Sequence, residues 1–306
     1  MNKLKISICF FAIFIGVSSI KAQNQDSILN AIKELISDTK PKKSYFKVQT
    51  SYLTNAVFNG RKDSAALPYL MPSIEYNHKS GLYLNATLSY LANKQSRIDV
   101  FDLTAGYNFE TSNQKFYGTA YANKSFYNNN SNNVQSDVQG NIGAFATYVT
   151  NIVSFSASAN VMFSSTTDLN LNFGIEKTIV LNEDETWSIT PAVTANFAGT
   201  GFYQSFNGKR IGRFGQPVNS RIEVSSPKKF QLMAYELSSS INYDAEKWGF
   251  YVTPYYAIAQ NPVTTIITVK GPGGNIIPLP NGPNPRTTLE KIENSFFAEL
   301  GVYVKF

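Results

Sequence analysis

The sequence predicts an all-β fold, a transmembrane antiparallel up-and-down β-barrel of about twelve strands with a short N-terminal amphipathic helix. Apolar and polar side chains alternate with a period of two over most of the chain from residue 45 onward, which is typical of half-buried strands. The chain also holds 18 Tyr and 22 Phe, although no stretch beyond residue 22 is a continuous apolar run of transmembrane-helix length. A barrel reconciles these facts, because only every second residue of a spanning strand faces lipid.

Residues 1–22 have the features of a secretory signal peptide. Lys3 and Lys5 form a charged start, and residues 6–17 form an apolar segment too short to span a bilayer as a stable helix. Cleavage is predicted after Ala22. A retained membrane anchor is the alternative interpretation.

Cleavage after Ala22 would change the cysteine content and the charge. Cys9, the single cysteine, would be removed, so the mature chain would form no disulfide. Loss of Lys3, Lys5 and Lys21 would leave 24 of the 27 basic residues against 21 acidic residues, a balance of +3. That balance is too small to indicate nucleic-acid binding on net charge alone.

Residues 23–43 are predicted to form a periplasmic helix and linker, followed by the barrel domain at residues 44–306. Asp26 is a candidate N-cap for the helix at residues 26–38. The apolar residues after it recur at three- and four-residue spacing: Ile28, Leu29, Ile32, Leu35 and Ile36. Two interpretations stay open, in which the helix rests on the barrel rim or lies inside the lumen as a plug.

The strand pattern is clearest in residues 82–91 and 295–306. In residues 82–91, the positions predicted to face outward start with Leu82 and Leu84, and those predicted to face inward start with Tyr83. In residues 295–306 the apolar phase runs to the C-terminal residue, with Phe297 as the exception on the polar phase. In residues 231–243 the apolar phase is predicted to hold Met233, Tyr235, Leu237, Ile241 and Tyr243.

The connections between predicted strands alternate in length. Short links are predicted at residues 78–81, 111–114, 150–151, 182–185 and 244–247. They alternate with links, most of them longer, near residues 56–67, 92–97, 128–135, 164–167, 201–230 and 261–291. Short turns on the periplasmic side and longer loops outside are typical of such barrels. An even strand number then predicts that both termini are periplasmic.

Aromatic residues cluster towards the predicted strand ends. Amphipathic rings at these positions fit the belts that lie at headgroup level on both sides of a membrane. The predicted belt residues are Tyr76, Tyr90, Phe109, Tyr127, Tyr148, Trp187, Tyr243, Trp248 and Phe306.

Phe306 ends an amphipathic strand at the last position of the chain, which resembles the C-terminal signal of outer-membrane β-barrel proteins. With the signal ending in Ala22-Gln23 and the Tyr- and Asn-rich strands, the chain resembles the outer-membrane barrels of Gram-negative bacteria, in particular those of the Bacteroidota. The resemblance implies an outer-membrane location, contact with lipid and lipopolysaccharide, and recognition of Phe306 by barrel-assembly machinery. It implies no defined substrate.

Charged residues on the polar phase are candidate lumen and selectivity residues. Lumen side chains tune the selectivity of such barrels, so these residues line a selective aqueous path or form a paired network that fills a closed barrel. Both interpretations stay open. The residues are Glu75, Asp102, Glu110, Glu176, Glu299, Lys47 and Lys305.

Two long predicted loops are candidate binding elements. The loop near residues 201–230 offers a basic cluster for an anion or for lipopolysaccharide phosphates, or it carries simple solvated charge. The cluster consists of Lys209, Arg210, Arg213 and Arg221. The Pro- and Gly-rich loop at residues 261–291 either folds into the mouth as a constriction or projects outward as a recognition surface.

His78 and Ser80 form a local His-x-Ser string. The string resembles that of outer-membrane phospholipase A and the lipid A deacylase barrels, which implies His78 as base and Ser80 as nucleophile, with Asn85 or Thr87 as orienting partners. Gly81 directly follows Ser80, where the phospholipase pattern has asparagine, and a polar hairpin turn is the other interpretation.

The sequence has no phosphate loop and no metal-ligand spacing, and its single histidine excludes a histidine metal cluster, so we expect no cofactor. The pattern favours a porin-like channel for small solutes. The alternative is a non-conducting structural or surface-binding barrel, and the third hypothesis is a lipid hydrolase. No enzymatic activity is expected apart from that third hypothesis.

Overall fold

Long antiparallel strands dominate the computed structural model, which describes residues 43–306 except 64, 94, 114, 165–166, 203–220, 226–228, 272 and 278–282. Within this part of the chain there are twelve long strands, which we number in chain order: β1 (Tyr45–Leu53), β2 (Tyr69–Asn77), β3 (Leu82–Leu91), β4 (Arg97–Glu110), β5 (Phe116–Tyr127), β6 (Gly140–Val149), β7 (Ser154–Phe163), β8 (Thr167–Glu176), β9 (Trp187–Gly199), β10 (Phe230–Ala245), β11 (Trp248–Ala259) and β12 (Ser295–Lys305).

The twelve strands form one closed barrel. Each strand pairs with the next along the chain, and β12 pairs with β1, with Lys47 opposite Lys305 and Leu53 opposite Glu299. The predicted all-β antiparallel barrel is therefore confirmed. The predicted signal peptide and the helix at residues 26–38 lie outside the described residues. No helix in the described part of the chain is long and apolar enough to cross a bilayer.

The barrel wall has an apolar outer face and a mainly polar inner face. In β3, Leu82, Leu84 and Leu88 are exposed on the outer face, whereas Tyr83 and Thr87 are buried inside. This period-two pattern confirms the predicted phase. The same holds for β12, in which the predicted exception Phe297 faces inward and stacks on Tyr255 at a centroid distance of 4.7 Å.

The predicted phase of Met233 is wrong. The alternation places it on the outer face of β10, but it is fully buried inside the barrel. The register between β9 and β10 shifts at Asn196 and Phe197, which pair with Ala234 and Leu232 respectively. Met233 is thus the extra residue of a β-bulge. Because of this extra residue, residues 230–232 have the opposite phase to that predicted, whereas Tyr235 and the residues after it keep the predicted phase.

The two ends of the barrel differ in their connections. We call the end that carries Tyr45 and Lys305 the terminal end and the opposite end the distal end. The links at the terminal end are residues 78–81, 111–115, 150–153, 177–186 and 246–247. Those at the distal end are residues 54–68, 92–96, 128–139, 164–166, 200–229 and 260–294. The predicted alternation holds for most links, although the distal links 92–96 and 164–166 are short and the terminal link 177–186 is longer than both.

Short strands within these links pair locally. Val57–Phe58 pairs with Arg61–Lys62 as a small hairpin, and Ile179–Val180 pairs with the start of β9. In the last distal link, Thr264–Lys270 pairs with Arg286–Leu289 and also with Arg221–Ser225 of the preceding link. The final two distal links are therefore joined in a three-stranded sheet beside the barrel sheet.

An aromatic cluster marks the outer face at the terminal end. The rings of Trp187, Tyr243, Trp248 and Phe250 lie with centroids 5.1–5.5 Å apart. This arrangement fits the predicted belt. Tyr127 departs from it, because Phe126 takes the exposed outward position and Tyr127 the inward one.

Candidate functional site in the barrel lumen

The distal end of the lumen contains a two-residue hairpin from the link between β1 and β2. Asn59 and Gly60 form its turn with φ of 49° and 72°, the left-handed values that a tight hairpin of this kind requires. We call residues 57–62 the plug hairpin. A Cβ at Gly60 would lie 3.0 Å from the Cβ of Ala234 and 3.2 Å from the Cα of Ala259, so the tip touches the walls of β10 and β11.

Apolar side chains from the wall and from the links surround the plug hairpin. The Phe58 and Phe202 rings meet edge to face with centroids 4.9 Å apart. We call the whole buried cluster the seal, and it consists of Phe58, Val134, Val138, Met162, Ala198, Phe202, Met233 and Val263. It draws on four distal links and three strands, so it fills the distal mouth from several sides.

Arg61 anchors the plug hairpin. Its guanidinium donates to the backbone carbonyl oxygens of Asn59, Met233, Gln260 and Asn261. Its Nε and Nη2 also donate to the two carboxylate oxygens of Glu290, at 3.2 and 3.1 Å. Such a bidentate, charge-assisted pair is among the stronger interactions in proteins. The side chain therefore ties the plug hairpin to β10 and to the last distal link.

Asp99 fixes a second distal link. Its carboxylate accepts hydrogen bonds from Tyr69 Oη at 2.5 Å, from Ser131 Oγ at 2.6 Å and from Arg97 Nε at 2.8 Å. Ser131 belongs to the link at residues 128–139, which also supplies Val134 to the seal. Asp99 is the extra residue of a β-bulge where β4 begins to pair with β3, and this bulge holds the neighbouring link over the mouth.

The predicted lumen residues do not form one cluster. Lys47, Glu75 and Glu299 lie buried on the adjacent strands β1, β2 and β12. Glu75 accepts hydrogen bonds from Asn77 Nδ2 at 2.8 Å and from Asn85 Nδ2 at 3.3 Å. These contacts favour a packed, hydrogen-bonded wall on this side of the lumen.

Tyrosines extend this wall network. Tyr251 Oη donates to Glu299 Oε1 at 2.6 Å and accepts from Gln49 Nε2 at 3.1 Å. The Tyr251 ring lies flat across Gly301, where a Cβ would approach it to 2.3 Å. Lys47 Nζ lies 4.5 Å above the centre of the Tyr303 ring, a cation–π distance.

Of the remaining predicted lumen residues, Lys305 reaches this network, with its Nζ 5.4 Å from the centre of the Tyr303 ring. Asp102 is buried on β4 and accepts from Ser125 Oγ at 2.5 Å. Glu176 is buried on β8, whereas Glu110 is half-buried near the terminal end. Lys305 Nζ lies 3.7 Å from a carboxylate oxygen of Asp244.

Sequence reasoning missed Arg61 and Glu236. Arg61 follows an Asn-Gly pair between short apolar and basic residues, which is itself a hairpin signal. Glu236 faces inward on β10 and is 0% exposed. Alternation alone does not separate Glu236 from the other inward acids, because the partners that distinguish them lie on neighbouring strands.

The inner wall of β7, β9 and β10 towards the terminal end is partly exposed and carries mainly uncharged side chains. We call this region the vestibule. Its small polar side chains are half-buried, in contrast to the fully buried seal at the distal end: Ser154, Ser156, Ser188, Thr190, Ser240 and Asn242. On the side of β7, β9 and β10 the lumen is therefore accessible at the terminal end, whereas Tyr83, Tyr121 and Phe145 form a buried cluster inside the opposite wall. The distal end is filled by the seal.

His78 and Ser80 do come together, with His78 Nδ1 2.8 Å from Ser80 Oγ. They lie in the turn between β2 and β3, which is closed by a bond from Gly81 N to His78 O at 2.9 Å. Asn85 and Thr87 do not orient the imidazole, since Asn85 donates to Glu75 and Thr87 donates to Asn85. The contact has the geometry of a side-chain interaction within a tight turn.

The predicted loop sites are described only in part. Lys209, Arg210, Arg213 and the side chain of Arg221 lie outside the described residues. The last distal link begins at the mouth, where Val263 joins the seal, and continues into the three-stranded sheet. Near its end an exposed ion pair joins Lys291 to Glu293 at 2.8 Å, and this hydrogen bond raises the pKa of Lys291 and lowers the pKa of Glu293.

A closed antiparallel barrel with an apolar outer band, an aromatic belt and a polar interior defines the class of this protein. The chain has the architecture of a membrane-spanning β-barrel. Only closed barrels and helices satisfy every backbone hydrogen bond within a bilayer, which is why this architecture fits a membrane.

Comparison with known proteins gives fold-level similarities. No protein-family model matches the chain, and none of the curated proteins matches it. Among solved structures, a KdgM porin shares 10% identity at a TM-score of 0.45, over 85% of this chain and 99% of that one. BamA from Haemophilus ducreyi lacking POTRA domains 1–3 shares 10% identity at a TM-score of 0.35, over 86% and 70%. OmpF of Salmonella typhi in complex with daunomycin shares 8% identity at 0.31, over 86% and 97%.

Proposed function

We propose that the protein is a porin-like channel for small solutes whose lumen is held closed at rest by the plug hairpin. The observation that carries the proposal is the contrast between the polar vestibule and the apolar seal. A hydrated interior is of use to a channel, and the element that blocks it is a link between strands rather than part of the wall.

The plug hairpin has the attachments of a removable element. Val57 and Phe58 pair only with Lys62 and Arg61 in the described ladders, so the hairpin contributes no rung to the barrel sheet. Asn59 Nδ2 donates to Asn170 Oδ1 on β8 at 3.2 Å, and the rest of the hairpin's polar anchorage is concentrated in Arg61, whose partners lie on β10 and on the last distal link. Withdrawal of the hairpin would therefore leave all pairing between the twelve strands in place.

The alternative is a non-conducting structural or surface-binding barrel. The hydrogen-bonded wall around Glu75, Tyr251 and Glu299 favours it, because these side chains fill one side of the lumen. The two functions differ in a single property, which is whether ions cross once the plug hairpin is removed.

The test is conductance in planar bilayers of the purified protein and of a variant in which residues 57–62 are replaced by a Gly-Ser linker of equal length. We expect rare or no openings of the wild-type protein and steady currents from the variant. Replacement of the exposed residues 273–275 in the same way is the control. A folded linker variant that stays silent would overturn the channel proposal in favour of the non-conducting barrel.

The proposal includes an orientation of the barrel in the membrane and contacts of its two ends with other molecules. The terminal end would face the periplasm, so that solutes leaving the lumen pass the vestibule. Lys209, Arg210, Arg213 and Arg221 would contact anionic groups such as lipopolysaccharide phosphates at the distal surface. Phe306, exposed beyond β12 and hydrogen-bonded through its backbone to Phe46, would be read by the barrel-assembly machinery.

A further inference from the structure

Glu236 differs from the other inward acidic residues in its surroundings. It is completely buried on β10, and its two carboxylate oxygens accept no hydrogen bond from any residue that the structure describes. Glu75, Asp102 and Glu299 each accept at least one hydrogen bond from a neighbouring side chain. Glu236 is therefore a buried carboxylate whose charge requires a different compensation.

Glu236 lies next to the plug hairpin, on the side that faces the terminal end. It lies two residues along β10 from Ala234, the residue that the tip of the plug hairpin touches. Thr194 on β9 and Ala257 on β11 are its cross-strand partners. Ser238 and Ser240 follow it on the same inward phase towards the terminal end. The carboxylate thus lies where the vestibule ends and the seal begins.

The surrounding side chains are small and carry no charge. Thr194 and Ser238 bring hydroxyl oxygens to this level of the wall, and Asn172 on β8, which pairs with Asn196, has a buried amide oxygen without a hydrogen-bond partner in the described part of the chain. The Asn196 amide lies beside the carboxylate, although its nitrogen makes no hydrogen bond of normal geometry in the described part of the chain. When it is ionised, the Glu236 carboxylate therefore forms a site with one negative charge, surrounded by uncharged hydroxyl and amide oxygens.

The charge of the Glu236 carboxylate indicates which kind of ion would bind beside it. A carboxylate away from water is costly to keep ionised, so it either takes up a proton or has a counter-charge beside it. Calcium and similar divalent ions are usually held by several oxygen ligands that include more than one carboxylate. Within the described residues, no group of three or more His, Cys, Asp or Glu is arranged to hold a metal ion. A monovalent cation balances one carboxylate and suits hydroxyl and amide oxygens.

We propose that Glu236 binds a monovalent cation at the inner end of the vestibule and makes the opened lumen selective for cations. The selectivity part of this inference rests on the proposed channel function, and the binding part does not. Acidic side chains in the narrow part of a pore are an established means of selecting cations.

Two measurements test the inference separately. The first is equilibrium binding of Rb⁺ to the purified wild-type protein, to Glu236→Gln and to the control Glu293→Gln, which removes an exposed carboxylate from the last distal link. We expect saturable Rb⁺ binding by the wild-type protein and by Glu293→Gln, and its loss in Glu236→Gln. Absence of saturable binding by the wild-type protein, as for a carboxyl group that carries a proton instead, would overturn the inference.

The second measurement is the reversal potential of the plug-replaced variant in a KCl gradient. We expect the ratio of K⁺ to Cl⁻ permeability to fall by about fivefold when Glu236→Gln is added, as for loss of one charge interaction at about 4 Å in a water-filled lumen. Glu293→Gln in the same background should leave the ratio unchanged. An equal ratio with and without Glu236 would overturn the selectivity role. If the plug-replaced variant is silent, the channel proposal fails and the Rb⁺ result alone decides whether Glu236 binds a cation.

Discussion

Arg61 and Glu290 form a bidentate ion pair inside the distal mouth, with the two side chains only 2% and 5% exposed. The pair joins a hairpin near the start of the barrel to the segment that precedes its last strand. Glu290 also accepts a hydrogen bond from the backbone N–H of Val263, a member of the seal. The pair therefore connects the plug hairpin and the last distal link at the point where both meet the seal.

Removal of the Glu290 charge should loosen the plug hairpin. Glu290→Gln leaves the Arg61 guanidinium buried without its counter-charge, and the loss of one partner of a buried pair costs about 3–5 kcal/mol. We expect hydrogen exchange of the backbone amides at residues 57–62 to accelerate by about a hundredfold or more, with little change in β4–β8.

The matched control for this change is Glu293→Gln. Glu293 is three residues away and exposed, so its ion pair with Lys291 and its electrostatic interaction with Lys62 of the plug hairpin contribute little. Equal exchange in Glu290→Gln and Glu293→Gln would show that the buried pair does not hold the plug hairpin.

Gly301 is expected to be sensitive to the smallest enlargement. A Cβ there would lie 2.3 Å from the Tyr251 ring, which is held in place by Glu299 and Gln49. We expect Gly301→Ala to lower the free energy of unfolding by about 1–3 kcal/mol, the usual cost of overpacking. The measurement is urea unfolding of the refolded barrel in lipid vesicles.

Gly273 provides the comparison for Gly301. It lies in the last distal link, where a Cβ would make only an ordinary contact of 3.4 Å with the Asn275 side chain. Gly273→Ala should leave the unfolding midpoint unchanged. Combination of Gly301→Ala with Tyr251→Ala should recover part of the overpacking cost, and a purely additive loss in the double variant would contradict the packing explanation.

The tryptophans report the position of the membrane. Trp187 and Trp248 are the two tryptophans of the chain, and both belong to the aromatic cluster on the outer face at the terminal end. Aromatic side chains of this kind lie at headgroup level. In vesicles, lipids brominated near the headgroup should quench the fluorescence more strongly than lipids brominated near the chain ends. Stronger quenching from the bilayer centre would contradict the placement of the apolar band.

His78 and Ser80 are expected to act as turn residues. Their contact lies within the link between β2 and β3, and Asn85 and Thr87 are engaged elsewhere. Phospholipid hydrolysis by the purified protein should be the same for wild type and for Ser80→Ala. Hydrolysis that is lost in both Ser80→Ala and His78→Ala, while the barrel remains folded, would support the hydrolase hypothesis instead.

The barrel wall could be predicted from the sequence because its determinants are local. Alternation in residues such as Leu82, Tyr83 and Leu84 fixes which face of each strand meets lipid. Turn and loop lengths then fix the order of the strands. The alternation failed at Met233, where one extra residue in β10 changes the phase without any change in composition.

The contents of the lumen could not be predicted in the same way. Asn59-Gly60 predicts a tight turn, but not that its tip meets Ala234 and Ala259, more than 170 positions away in the sequence. Likewise, alternation places Glu236 and Glu299 on the inner face. Whether each acid finds a donor depends on residues brought alongside by closure of the barrel.

The most direct test of the plugged-channel account is single-channel recording of Arg61→Ala beside the wild-type protein in planar bilayers. This substitution removes the hydrogen bonds to four carbonyl groups and to Glu290, and leaves the twelve-stranded sheet untouched. The account predicts rare openings of the wild-type protein and of Glu293→Gln, and frequent, long openings of Arg61→Ala. Equal silence of all three proteins, with Arg61→Ala folded and its residues 57–62 exposed to protease, would contradict it.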